Sequence, residues 1–143
     1  MELVIKSFDE LTKTELYEIL KVRVEVFVVE QKCPYQEADG IDYKSLHMFY
    51  RDNNKILAYL RIFEREEGTA QIGRVLTVER GKGFGGKLLK EAVALIKNQI
   101  KPKKIYLEAQ CYAVGFYEKE GFKVCSEEFL EDGIPHVKMI LEL

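Results

Sequence analysis

The sequence predicts a mixed α/β domain in which one sheet carries helices on both of its faces. Strand patterns dominate the first half of the chain, and a strand–helix–strand succession follows. No repeat, linker or low-complexity tract divides the 143 residues. Strands that come first, followed by a helical crossover, are typical of a sheet with both antiparallel and parallel neighbours. We therefore expect one domain over residues 1–143.

Composition and charge exclude several classes of protein. Hydrophobic residues make up 47% of the chain and charged residues 32%, which is typical of a globular domain. The net charge of −2 provides no strong field for nucleic acid, and no apolar run is long enough for a membrane span. The acidic N-terminal segment is unlike a signal peptide. We therefore expect a cytoplasmic protein with no nucleic-acid or membrane partner.

The cysteines and histidines give no sign of a metal site. Cys33, Cys111 and Cys125 form no CxxC pair, and without an export signal we expect reduced thiols. His47 and His136 lie far apart, and neither is at ligand spacing from a cysteine or from the other histidine. We therefore expect no metal cofactor.

The first segments of the chain are predicted to be a short strand, a helix and a loop. Residues 2–6 favour a strand, and Ser7 or Thr12 can cap the next helix, because each has a glutamate three residues later. Residues 22–29 fit either a helix or a strand, since their valines also alternate with a period of two. A long polar loop is predicted over 31–45.

Alternating apolar residues then predict a series of strands. The first two strands cover about 46–51 and 55–64 and are joined by a turn at Asp52-Asn53-Asn54. A solvated turn over 64–68 follows, and the third strand covers about 69–77. A helix follows residue 86, with an apolar face that consists of Leu88, Leu89, Ala92, Leu95 and Ile96. The remaining predictions are a strand over 104–110, a short helix over about 112–120 and a last strand over about 136–143.

The most informative segment is glycine-rich and reads Arg80-Gly81-Lys82-Gly83-Phe84-Gly85-Gly86. It lies between a predicted strand and a predicted helix. Its unshielded N–H groups and the positive end of the helix favour an anion, and a pyrophosphate is the natural ligand. The segment matches neither the P-loop nor the dinucleotide-binding pattern. The alternative is a glycine-rich turn that serves only to reverse the chain.

Two motifs resemble those of the GNAT N-acetyltransferases. The first is Arg80-x-x-Gly83-x-Gly85 ahead of a long helix, which looks like the acetyl-CoA pyrophosphate loop of that family. The second, Ala113-x-x-Phe116-Tyr117-Glu118-x-x-Gly121-Phe122, is similar to a later family signature in which a tyrosine lies near the thioester sulfur. Residues 26–35, 72–75 and 132–136 are similar to the ElaA-type branch of the family. The resemblance covers nearly the whole chain.

The resemblance implies the GNAT fold, with a central, mostly antiparallel sheet of six to seven strands that is splayed at the cofactor site. It implies that residues 22–29 are helical. It also implies acetyl-CoA as the co-substrate, with pantetheine paired to strand backbone and the pyrophosphate in the glycine segment. The implied cofactor-binding residues are Val75, Leu76, Thr77, Arg80, Gly81, Lys82, Gly83, Phe84, Gly85, Gly86, Gln110 and Tyr117. Gln110 stands where many family members have an asparagine.

The catalytic candidates follow from the same resemblance. Tyr117 is the predicted general acid for the departing thiolate, and a packing role is the alternative. Glu30 and Glu108 are the predicted candidates for the general base, because they are expected on the walls of the acceptor pocket. A chain of water molecules is the alternative to both. For His47 and His136 a structural role is favoured over a role as base. Cys111 is interpreted as a small buried residue rather than as a nucleophile.

The function implied is transfer of an acetyl group to a primary amine of a small molecule or peptide, by direct attack in a ternary complex. The alternative is a non-catalytic acyl-CoA-binding sensor or interaction module. Acidic residues in the expected acceptor pocket favour a cationic amine, and these are Glu30, Glu37, Asp39, Asp42 and Glu108. The protein is expected to be a monomer or a homodimer.

Overall fold

A computed structural model of the protein describes residues 1–143. The sheet consists of β1 (Glu2–Ser7), β2 (Leu46–Asp52), β3 (Lys55–Glu66), β4 (Thr69–Thr77), β5 (Lys104–Gln110), β6 (Lys123–Val124), β7 (Phe129–Glu131) and β8 (Ile134–Glu142). The α-helices are α1 (Lys13–Val24), α2 (Phe84–Leu95) and α3 (Val114–Glu118). None of the helices is both long and apolar enough to cross a membrane.

The strands form one sheet in the order β1-β2-β3-β4-β5-β8-β6, and β7 pairs with β8. Every pairing is antiparallel except the one between β4 and β5, which is parallel. The predicted mixed, mostly antiparallel sheet is confirmed. It has 8 strands rather than six to seven, because two short strands occupy a region for which the sequence patterns predicted none.

Helices cover both faces of the sheet, as predicted. The larger apolar core packs α2 and α3 against one face, and includes Leu88, Leu89 and Ile96. The smaller core packs α1 against the other face through Ile19 and Val22. The crossover through α2 joins the two parallel strands, and it therefore places the start of α2 beside the end of β4.

Thr12 is the N-cap of α1. The Thr12 hydroxyl accepts a hydrogen bond from the Glu15 backbone N–H at 3.0 Å, and the Glu15 carboxylate accepts one from the Thr12 N–H at 2.8 Å. Ser7 instead caps the short 3₁₀ turn Phe8–Glu10. Beyond α1 the chain continues as the π-helical turn Glu25–Glu30, so residues 22–29 are helical in spite of their valines.

Several predicted boundaries are wrong. The turn expected over 64–68 is shorter, because β3 runs on to Glu66. The helix expected over 112–120 is reduced to α3, which follows the 3₁₀ turn Cys111–Ala113. The last strand begins at Ile134, two residues before the predicted start, and pairs with β7 as a hairpin.

Candidate active site

The sheet opens between β4 and β5. The two strands pair only from Thr69 to Gln71 on β4, opposite residues 104–106 of β5. Beyond this point no pairing joins them, although β4 continues to Thr77 and β5 to Gln110. The backbone of the second half of β4 is therefore free on the side that faces β5. The predicted splay of the sheet is confirmed.

A β-bulge marks the same part of β4. Arg61 on β3 lies opposite Gly73, whereas Tyr59, two residues earlier on β3, lies opposite Leu76. Two residues of β4, Arg74 and Val75, thus face a single residue of β3, and Arg74 adopts a positive φ of 55°. The bulge bends β4 where it leaves β5, and it points the Arg74 side chain toward the 31–45 loop.

A cleft of about 590 Å³ fills the opening. It extends from Arg80 and the start of α2 to the β7–β8 hairpin. Eight of the predicted site residues line it, namely Val75, Leu76, Thr77, Arg80, Gly85, Glu108, Gln110 and Tyr117. Glu30 does not, because it lies exposed at the end of the π-helical turn. Five further predicted residues do not line the cleft, although they belong to the same segment as Arg80 and Gly85; these are Gly81, Lys82, Gly83, Phe84 and Gly86.

The glycine-rich segment has the conformation that an anion site requires. Gly81 and Gly83 have φ values of 80° and 76°, which L side chains rarely adopt, and no atom lies within 4 Å of the Cβ position at either residue. Gly83 is the N-cap of α2, and neither a side-chain cap nor an acidic residue occupies the first turn. The first N–H groups of the helix therefore remain available to an anion.

Tyr117 lies on α3, with its ring buried between Phe116 and Phe122. The residue lines the cleft. Burial, reinforced by the nearby Tyr112, raises the pKa of the Tyr117 phenol well above its usual value, so the hydroxyl remains protonated across the neutral range. The predicted general acid therefore holds a proton at the wall of the cleft.

Two contacts bridge the cleft from the α1 side to the β5–β8 side. Gln31 and Gln110 exchange hydrogen bonds of 3.3 and 3.1 Å through their side-chain amides. The Cys33 thiol donates to the Asp132 carbonyl oxygen at 3.2 Å. Gln110, which was predicted to contact the cofactor, lines the cleft, and its side-chain amide is bonded to Gln31.

One wall of the cleft is acidic. Glu108 on β5, Glu131 on β7 and Asp132 in the β7–β8 turn all line it. The Glu108 carboxylate accepts a hydrogen bond of 2.7 Å from the Tyr106 hydroxyl. Burial, and then the neighbouring Glu108 carboxylate, raise the pKa of Glu131. Three carboxyl groups therefore share one wall of the cleft, and only Glu108 of these was expected there from the sequence.

The acidic residues of the 31–45 loop are not free to attract a cation. Each is paired with arginine in a network that consists of Arg23, Arg61, Arg74, Glu37, Asp39 and Asp42. Arg23 is fully buried, and its guanidinium lies 3.0 Å from Glu37 and 2.6 Å from Asp42. The three positive charges offset the three carboxylates. The network therefore fixes the loop against α1 and the bulge rather than providing a negative pocket.

The structural role favoured for His47 is confirmed. The ring is buried, the Tyr59 hydroxyl donates to Nδ1 at 2.6 Å, and Nε2 donates to the Asp42 carbonyl oxygen at 3.0 Å. Burial lowers the pKa of His47. Cys111 is half-buried and does not line the cleft. Burial raises the pKa of the Cys111 thiol, which argues against a nucleophilic role.

A sheet opened between two parallel strands, with a glycine-rich helix start at one end of the opening, defines an acyltransferase of the GNAT class. The chain matches the family described as acetyltransferase (GNAT) domain over residues 12–143. The chain therefore belongs to the GNAT acetyltransferase family, and the prediction of an N-acetyltransferase enzyme is confirmed.

Similar proteins support the ElaA-type resemblance. A UPF0039 protein of Schizosaccharomyces pombe is 46% identical over 147 residues, which cover 100% of this chain and 98% of that protein. The protein ElaA of Escherichia coli is 37% identical over 140 residues, or 94% of this chain and 92% of ElaA. The crystal structure of E. coli ElaA has a TM-score of 0.93 and covers 99% of this chain and 100% of its own.

A third similar protein is an acyltransferase. The crystal structure of an acyl-CoA N-acyltransferase from Pseudomonas aeruginosa has a TM-score of 0.89 and 39% identity. The match covers 98% of this chain and 99% of that one. Acyl transfer is thus the general chemistry of the family to which this chain belongs.

Proposed function

We propose that the protein transfers an acetyl group from acetyl-CoA to a primary amine of a small molecule or peptide, by direct attack in a ternary complex. The observation that carries this proposal is the opening between β4 and β5. The free backbone of β4 is available to acetyl-CoA, and the acidic wall of the same cleft is available to the amine. Holding both reactants in one cleft removes much of the entropic barrier to their reaction.

Backbone groups are proposed to hold acetyl-CoA. The N–H groups at the start of α2, with Arg80 beside them, bind the pyrophosphate, and Lys82 adds positive charge from the exposed loop. The free edge of β4 over Val75, Leu76 and Thr77 pairs with the pantetheine amides as an added strand would. This arrangement directs the thioester toward the bulge at Arg74, where an N–H outside the ladder can stabilise the oxyanion. Such a donor contributes roughly 3 kcal/mol to transition-state stabilisation.

Tyr117 is proposed to protonate the departing thiolate. Its hydroxyl is protonated, it lines the cleft, and a packing role alone does not require a phenol at this position. The raised pKa makes Tyr117 a weaker acid than a tyrosine in water. The same burial, however, disfavours the thiolate that forms beside it, so donor and acceptor remain matched as charge develops.

The acceptor is proposed to be a cationic amine. Glu108, Glu131 and Asp132 concentrate negative charge on one wall, whereas the carboxylates of the 31–45 loop are neutralised by arginines. An ammonium group has three donors and suits a wall of carboxylate oxygens. We place Glu108 in this attracting wall, with the Tyr106 hydroxyl bond holding its carboxylate in place.

The test is a thiol-release assay with acetyl-CoA and a panel of amines that includes spermidine, glucosamine and an Nα-blocked lysine. CoA release that depends on the amine, with the acetylated amine detected by mass spectrometry, supports the proposal. Calorimetric binding of acetyl-CoA without release for any amine rejects it in favour of an acyl-CoA sensor. If a hydroxyl acceptor is acetylated and no amine is, the amine is rejected as substrate and acyl transfer remains the function.

A further inference from the structure

A second histidine, His136, is held in one orientation at the wall of the cleft. It is 7% exposed and lies near the start of β8. Its Nδ1 lies 2.7 Å from the carbonyl oxygen of Ile134. A carbonyl oxygen only accepts, so Nδ1 carries the proton and the neutral ring has its lone pair on Nε2. The ring also stacks on Phe129, with an interplanar angle of 27° and a centroid distance of 5.9 Å.

The lone pair on Nε2 has no hydrogen-bond partner in the protein. The nearest charged atom is Oε2 of Glu131, at 3.5 Å, and the two make no hydrogen bond. Both residues line the cleft. A ring that is more than nine-tenths buried, fixed at one nitrogen and unpartnered at the other, is the arrangement that a proton acceptor requires.

We propose that His136 is the general base that removes a proton from the acceptor ammonium, an inference that rests on the proposed N-acetyl transfer. Nε2 and Glu131 Oε2 lie 3.5 Å apart. The ammonium nitrogen of the acceptor can therefore lie about 2.9 Å from both atoms at once, a normal hydrogen-bond length. One N–H of the ammonium then points at the histidine while a second is held by the glutamate.

The protons and electrons of the step balance. The ammonium gives one proton to Nε2, and the neutral amine attacks the thioester carbonyl carbon with the freed electron pair. The C–N bond forms, and the C–S bond then breaks, with its electrons leaving on sulfur. Tyr117 gives its proton to the thiolate, and the second proton of the nitrogen then returns to the Tyr117 oxygen. The third stays on the amide, and the proton on His136 passes to water.

The ring nitrogen that receives the proton lies 3.5 Å from a carboxylate oxygen of Glu131. The charged and titratable groups that line the cleft with His136 are Cys33, Tyr35, Asp39, Arg74, Arg80, Glu108, Tyr112, Tyr117, Glu131 and Asp132. Glu131 belongs to β7, and Arg74 is paired with Glu37. Glu108 is less suited as base, because its Oε2 already accepts from Tyr106 and lies 3.9 Å from Arg65.

The experiment is the pH dependence of turnover in His136→Gln, with the amine that the panel identifies as the best acceptor. We expect kcat near pH 7 to fall roughly 10²-fold. The deficit should shrink about tenfold per pH unit as the pH rises toward the pKa of the amine, because solution then supplies the neutral form. The affinity for acetyl-CoA, measured by calorimetry, should stay unchanged. Lys138→Gln, exposed on the same strand, serves as the control and should retain wild-type turnover.

A deficit that is the same at every pH assigns His136 a structural role and overturns the proposal while leaving amine acetylation intact. Unchanged turnover overturns it as well. If His136→Gln does not fold, His136→Ala with added imidazole replaces it, and recovery of turnover by imidazole supports the role whereas its absence overturns it. Wild-type protein that acetylates no amine rejects the base together with the proposed function.

Discussion

Gly85, near the start of α2, lies so close to Thr77, at the end of β4, that a Cβ atom at residue 85 would be 2.6 Å from Thr77 Cγ2. A side chain at residue 85 would therefore disturb the close packing of α2 against β4. Gly85 fixes the distance between the helix start and the free edge of β4, and those are the two elements proposed to hold acetyl-CoA.

We predict that Gly85→Ala separates α2 from β4 and lowers the free energy of unfolding by about 1–3 kcal/mol, the usual range for overpacking. The KM for acetyl-CoA should rise as well. Gly86→Ala is the matched control for stability, because its Cβ would lie 3.8 Å from Phe116 Cε1, in ordinary contact. That variant should gain about 0.5 kcal/mol from the reduced entropy of the unfolded chain. Urea denaturation of both variants measures the difference, and equal stability would contradict the prediction.

We predict that Tyr117→Phe lowers kcat roughly 10²-fold, because the departing thiolate loses its proton donor. The affinity for acetyl-CoA should remain nearly intact, since the aromatic ring still fills its place beside Phe116 and Phe122. Tyr17→Phe provides the control, because Tyr17 is 71% exposed on α1 and should leave turnover unchanged. Steady-state kinetics and calorimetry separate the two effects, and a Tyr117→Phe enzyme with full turnover removes this residue from the mechanism.

The fold was largely predictable because most of its strands alternate and its second helix has one apolar face. The missed hairpin was also predictable. Asp132 and Gly133 have φ values of 51° and 78°, the conformation of a two-residue hairpin turn, and Asp-Gly is a strong signal for it. Using that signal would have placed Glu131 opposite Ile134 and Phe129 opposite His136, and so would have brought Glu131 to the site.

The arginine network was not predictable from periodicity. The buried face of α1 carries Glu15 and Arg23 beside Ile19 and Val22, and Leu16 and Leu20 are only half-buried. A charged residue in a helix normally indicates a solvent-exposed position. Its partners in the loop lie 14 and 19 residues away along the chain, at Glu37 and Asp42, and only the tertiary fold brings them to Arg23.

We predict that Asp39 contributes stability that disappears in acid. Burial alone raises the pKa of the Asp39 carboxyl, but hydrogen bonds from Arg61 and its charge outweigh that effect and lower the pKa from 3.8 to about 2. A carboxyl whose pKa is lower in the folded than in the unfolded protein stabilises the fold at every pH above the unfolded-state pKa. This stability is lost as the pH falls from 3.8 toward 2. Wild type should therefore exceed Asp39→Asn in stability at pH 6, and most of that difference should be lost by pH 2.

The measurement for Asp39 is urea denaturation at several pH values across that range. Asp52→Asn is the control, because Asp52 is exposed at the end of β2 and has no ion-pair partner. Its difference from wild type should remain small at every pH. A difference between wild type and Asp39→Asn that persists undiminished at pH 2 would show that the ion pair with Arg61 is not its source.

We predict that Arg23→Met destabilises the protein by about 3–5 kcal/mol, because it leaves Glu37 and Asp42 buried without their main counter-charge. Lys21→Met, two residues earlier on the same helix, is the matched control. Lys21 is 61% exposed and lies 3.7 Å from Glu18, a surface pair that contributes about 0–1 kcal/mol. Denaturant unfolding of both variants provides the comparison. Equal stabilities would mean that Arg61 and Arg74 suffice to hold the 31–45 loop, and the role assigned to Arg23 would be wrong.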